Sequence, residues 1–152
     1  MKNINALLNT MQGKRVYFDA NCIIYFIEQI PIYYEVVKPI FELIGRDEIT
    51  AYSSDIVLPE VLIKPIRDRN PVLVQDIKDL LLDKGLFTLM SASQKILLDA
   101  ADYGGRNGLR TIDAIHFLSA LDADCHYFVT NDKRFTSWHG LEVAYLSDYT
   151  AV

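Results

Sequence analysis

Five short apolar runs punctuate this chain, and segments of helical periodicity fill the gaps between them. Arg15 to Phe18, Glu48 to Tyr52, Leu86 to Met90, His126 to Thr130 and Glu142 to Leu146 each read as a strand. Strands alternating with helical patterns predict an α/β domain built on a mainly parallel sheet. In such a sheet, ligands bind in the crevice outside the carboxyl ends of the strands.

The intervening segments carry helix signals. Ile4, Leu7, Leu8 and Met11 repeat at helical spacing before Gly13. Asn21 is placed to cap an apolar helix over Cys22–Ile30 that stops at Pro31. Tyr33 to Ile44 is helical in pattern, with Pro39 expected to kink or split it. Ser53 or Ser54 caps a helix carrying Glu60, which Pro59 is expected to distort. Asn70-Pro71 opens another helical segment, which Gly85 closes. Ser91-Ala92-Ser93-Gln94 has a capping-box pattern, and Gly104-Gly105 is expected to end the helix that follows. Thr111 is placed to cap the helix bearing Asp113.

With 152 residues, 51% of them hydrophobic, the chain suits one domain with a sizeable core. A net charge of −5 argues against a broad non-specific nucleic-acid binder, which is usually basic. It leaves a nuclease open, because clustered acids in a metal site lower the formal charge. Cys22 and Cys125 lie in apolar stretches without metal-ligand spacing and read as buried free thiols. No signal-peptide pattern or membrane-length apolar run is present, so the expected location is the cytoplasm.

Four acids sit where strands or helices begin or end. Asp19 closes Val16-Tyr17-Phe18, and Asp132 follows Tyr127 to Asn131. Glu60 and Asp113 lie in helical segments. Singly, each is as readily a cap or turn former. Together, beside apolar surface, they would repel one another unless a cation compensates. Oxygen ligands suit Mg²⁺ or Mn²⁺, and phosphate chemistry is the usual task of such a site. No Gly-rich phosphate loop, nucleophile elbow or zinc motif supports another catalytic class. Asp19-Ala20-Asn21 also lacks the close second Asp of a common phosphotransferase motif.

From Arg15 onward the chain resembles the PIN-domain nucleases, and among them the VapC-like toxins of toxin–antitoxin pairs. The likeness rests on Val16-Tyr17-Phe18-Asp19-Ala20-Asn21, on Glu60 in its Ser-led helix, on Asp113-Ala114-Ile115-His116, and on Val129-Thr130-Asn131-Asp132-Lys133-Arg134-Phe135. It implies a three-layer α/β/α domain over residues 15–152, preceded by a helical extension over 1–14. It also implies that Asp19, Glu60, Asp113 and Asp132 form the catalytic acidic set, with Asp19, Asp113 and Asp132 holding Mg²⁺ or Mn²⁺. Thr130 and Asn21 match polar residues that steady those carboxylates. The activity implied is metal-dependent endoribonuclease cleavage of RNA, with a cognate antitoxin and a second copy of the chain as partners. A stand-alone RNA-processing nuclease and a non-catalytic domain binding RNA or protein are the alternatives.

Among the basic residues near the acids, Arg110 and Lys133 are the favoured phosphate contacts. Lys64 stands four residues after Glu60, a spacing that also suits an ordinary helical ion pair. His116 lies three residues after Asp113 and reads as a satisfied core histidine.

Overall fold

The structure is a computed structural model and describes residues 1–151; Val152, the last residue of the expected domain, lies outside them. Five strands, β1 (Arg15–Phe18), β2 (Thr50–Ser54), β3 (Phe87–Met90), β4 (Tyr127–Thr130) and β5 (Glu142–Tyr145), form one sheet in the order β3-β2-β1-β4-β5. Every pairing between these strands is parallel.

Alternating side chains along the strands feed two cores. Val16 and Phe18 of β1, Ala51 of β2 and Val129 of β4 face one core. It is closed by α1 (Ile4–Met11), α2 (Ala20–Ile27), α3 (Tyr34–Gly45), α4 (Val57–Arg67) and α5 (Pro71–Lys78). Tyr17 and Phe128 face the other, closed by α6 (Gln94–Asn107) and α7 (Thr111–Asp122). The period-2 pattern of the strands thus produces the three layers. A π-helical turn (Asp79–Asp83) extends α5, and a 3-10 turn (Leu146–Tyr149) follows β5. The α1 helix packs within the molecule: Leu7 and Met11 are buried in the same core as β1.

Several helix ends differ from the sequence expectation, each for a local reason. The α2 helix starts at Ala20, one residue after Asp19, whose own side chain caps it. Pro39 leaves α3 unbroken from Tyr34 to Gly45. The carbonyl it deprives of a partner belongs to the exposed Glu35, where water can serve instead. Ser53 and Ser54 end β2, and α4 starts at Val57 without a side-chain cap. Pro59 is its third residue, where the backbone N–H has no helical acceptor to lose. Asn70 caps α5 as expected, accepting from the Leu73 N–H at 3.1 Å.

Ser93, not Ser91, caps α6, through the Ile96 N–H. That helix runs past Gly104-Gly105 and ends at Gly108, which has φ of 70°. Gly104 serves packing instead. A Cβ there would stand 3.2 Å from the Ala114 Cβ, so the missing side chain lets α6 approach α7 closely. At the start of α7, Thr111 is the first helical residue and Arg110 holds the cap position with no side-chain cap.

The chain builds β1, β2 and β3 outward in one direction, then returns to place β4 on the other side of β1. The carboxyl ends of β1 and β4 therefore flank the topological switch point, where a crevice opens.

Candidate active site

Asp19 terminates β1 and is 8% exposed. Its Oδ1 accepts from the Cys22 N–H at 3.2 Å, and its Oδ2 accepts from the Thr130 hydroxyl at 2.6 Å. Burial pushes its carboxyl above the usual range, against the pull of those hydrogen bonds. Among the described residues no Lys or Arg forms an ion pair with it.

Thr130 ends β4, and its oxygen also accepts from the Asp132 N–H at 3.1 Å. One hydroxyl thereby links the strand-end acid to the acid two residues beyond its own strand.

Asp132 is gripped by Arg134. The guanidinium Nε lies 3.0 Å from Oδ1 and 3.1 Å from Oδ2, and Nη2 lies 2.5 Å from Oδ2. The Arg134 N–H adds a bond to Oδ1 at 2.9 Å, closing a tight turn. These bonds, led by the guanidinium, hold the Asp132 carboxyl below its ordinary value. The same Nη2 reaches Asp113 Oδ2 at 3.0 Å, and Arg110 Nε meets that oxygen at 3.0 Å. Asp113 sits in the first turn of α7, where the helix dipole favours a negative charge.

Glu60, in the first turn of α4, is tied differently. Its Oε1 lies 2.5 Å from His116 Nε2, and His116 Nδ1 lies 2.7 Å from the Tyr17 hydroxyl. His116 is 3% exposed and Tyr17 fully buried. An ionised Glu60 can only accept, so Nε2 carries a proton; in a neutral ring Nδ1 then accepts from Tyr17. This chain of three joins α4, α7 and β1. Burial holds the Tyr17 hydroxyl well above its ordinary value.

Asp19, Asp113 and Asp132 are thus connected through Thr130 and Arg134, whereas Glu60 is held through His116. Asn21 is exposed and makes no side-chain hydrogen bond to these acids among the described residues. Arg110 lies at the site. Lys133 is engaged elsewhere, 3.1 Å from Asp148 and over the Tyr145 ring at 3.9 Å. Sequence reasoning favoured Lys133 and passed over its neighbour Arg134. The available signal was the Asp-Lys-Arg spacing, in which a tight turn at Asp132 folds the residue two positions on back over the carboxylate. It also left the buried His116–Tyr17 pair unused.

The donor set fits a hard divalent cation: carboxylate oxygens, one of them buried without a basic partner. A positive group already spans the other two. Among the described residues, no three of the His, Cys, Asp and Glu side chains are gathered closely enough in this arrangement to hold an ion.

A parallel five-stranded α/β/α fold with Asp19 and Asp132 at the strand ends beside its switch point defines the class to which this protein belongs. A PIN-domain family model matches residues 16–138, and the chain belongs to the PIN-domain family. Its fold is similar to that of VapBC2 from Rickettsia felis, solved bound to a DNA fragment from its promoter. The TM-score is 0.64 at 18% identity, covering 86% of this chain and 98% of the other. It is also similar to a toxin–antitoxin complex from Klebsiella pneumoniae, with a TM-score of 0.61 at 18% identity, covering 83% and 94% of the two chains. No curated protein matches it by sequence.

Proposed function

We propose that the protein is a Mg²⁺- or Mn²⁺-dependent endoribonuclease that hydrolyses RNA phosphodiester bonds and acts as the toxin of a toxin–antitoxin pair. The observation that carries this reading is the linkage of Asp19, Asp132 and Asp113 at the switch point of a PIN-domain sheet. Asp19, Asp113 and Asp132 would hold the metal. When bound, it supplies positive charge for the phosphate and lowers the pKa of water that attacks it.

The chain's own residues do the rest. Thr130 and the Cys22 N–H orient the two Asp19 oxygens. His116 fixes Glu60, which orients the attacking water or takes its proton. Arg110, 75% exposed beside Asp113, offers a guanidinium to the substrate phosphate. Lys133 is paired with Asp148, away from the acids, whereas Arg110 stands on Asp113 itself, so Arg110 carries the larger share. Asn21 is proposed to steady Asp19 once the metal is bound.

The likeness to toxin–antitoxin complexes supports an antitoxin as partner. So does an apolar surface on α4 and α5, where Ile63, Ile66 and Val72 are each more than half exposed. Pairing of two copies and a cytoplasmic location belong to the same proposal. No helix among the described residues is long and apolar enough to cross a membrane. Residues 1–14 are read as an extension docked on the nuclease domain.

The test is cleavage of total cellular RNA by the purified, antitoxin-free protein, with Mg²⁺ or Mn²⁺ against EDTA. Metal-dependent cutting that Asp19→Asn and Asp113→Asn each abolish is the expected result. Cutting that survives both substitutions, or no cutting with either metal, overturns the assignment.

A further inference from the structure

Arg134 holds an unusual position among the charged side chains of this chain. Its guanidinium contacts two acids of the set at once, Asp113 at 3.0 Å and Asp132 through a fork of three contacts. Arg110 shares the Asp113 oxygen, so two guanidinium charges offset two carboxylates, while the buried Asp19 keeps none. Arg134 is also 44% exposed on a loop beyond β4, with solvent on its outer side. Its backbone N–H bond to Asp132 holds the loop independently of the side chain.

A cation held between Asp113 and Asp132 would stand against this guanidinium, which lies between the facing oxygens of the two carboxylates. Two positive groups cannot share those oxygens at close range without strong repulsion. We propose that Arg134 is the resident counter-ion of the metal-free site: it neutralises Asp113 and Asp132 until a divalent cation displaces it, and so sets how tightly that cation binds. This rests on the metal reading of the same acids. Arg134 acts here through the two carboxylates, as a competitor for their charge, and touches neither substrate nor reacting atoms.

The experiment is Mn²⁺ binding, followed by the electron paramagnetic resonance signal of free Mn²⁺, to the whole wild-type chain and to Arg134→Gln and Arg134→Lys. Removing a competing ion pair of modest strength predicts roughly twofold to fivefold tighter binding in Arg134→Gln, with Arg134→Lys near wild type. Equal or weaker binding in a folded Arg134→Gln overturns the inference alone, and leaves the metal reading intact. No Mn²⁺ uptake by wild type or by either variant overturns the metal reading and the inference with it.

A second measurement needs only the wild type. The Arg134 Nε–H resonance, assigned by its loss in Arg134→Lys, should move toward the position of a free arginine as diamagnetic Mg²⁺ is added. An unmoved Arg134 resonance at Mg²⁺ levels that shift the Asp113 and Asp132 amide signals would show that the cation binds without displacing it, against the inference.

Discussion

The Thr130 hydroxyl donates to Asp19 Oδ2 at 2.6 Å and accepts the Asp132 N–H at 3.1 Å. The donor and acceptor capacity of one small side chain therefore joins the ends of β1 and β4 and sets the spacing of two acids. A hydroxyl at this position supplies both roles, and a methyl supplies neither.

Thr130→Val keeps the shape and removes both bonds. Asp19, buried, loses a donor, and the Asp132 N–H loses its acceptor. The expected cost is about 1–3 kcal/mol of stability, read from urea unfolding, together with a fall in cleavage rate. Thr130→Ser should retain most of both. Equal losses in the two variants would assign the role to packing.

Asp19 makes a pH prediction for the metal-free protein. Its carboxyl is raised by burial, so its contribution to stability is present below its unfolded pKa and lost as pH rises through the folded value. Above the unfolded value, keeping this carboxyl buried costs stability whether it holds its proton or its charge, and Asp19→Asn removes that cost. The variant should melt at or above the wild-type temperature near neutrality, with the difference shrinking on acidification. Calorimetry across that range checks the sign; a variant less stable at neutral pH and recovering in acid would contradict it.

His116 joins Glu60 to Tyr17 from inside the protein. Truncating it removes one partner of a buried hydroxyl and frees Glu60 to turn. His116→Ala should cost about 2–4 kcal/mol, from the lost packing and the lost hydrogen bonds together. Tyr17→Phe leaves the His116–Glu60 bond in place and should cost about 1–2 kcal/mol. If His116 positions Glu60, cleavage measured on folded protein should fall more in His116→Ala than in Tyr17→Phe.

The α1 helix is tested by Met11, which is fully buried against the β1 side of the sheet. Met11→Ala should destabilise the chain by about 2–5 kcal/mol, as deletion of a core side chain does. A negligible change in the urea midpoint would mean that the helix is only loosely attached.

Much of the architecture was legible because it depends on local signals. Short apolar runs between helical periodicities specify parallel strands with crossover helices, and Asn70-Pro71 marks a helix start that the structure keeps. The helix ends that moved did so where two local signals competed. Asp19 outbid Asn21 for the α2 cap because it already stands at the end of β1. Gly104 looks like a stop in sequence but is needed where α6 touches α7.

The sequence by itself determined the strand–helix rhythm, the class of sheet and the placing of Asp19 and Asp132 at strand ends, since each follows from residues a few positions apart. Only the tertiary structure decided what holds the acids. The Thr130–Asp19 bond spans 111 residues, the His116–Tyr17 bond 99 and the His116–Glu60 bond 56. No periodicity encodes such pairs. They arise because the switch in strand order brings β4 beside β1 while α7 packs beneath them, and a buried polar group must then be satisfied by whatever that packing places within reach.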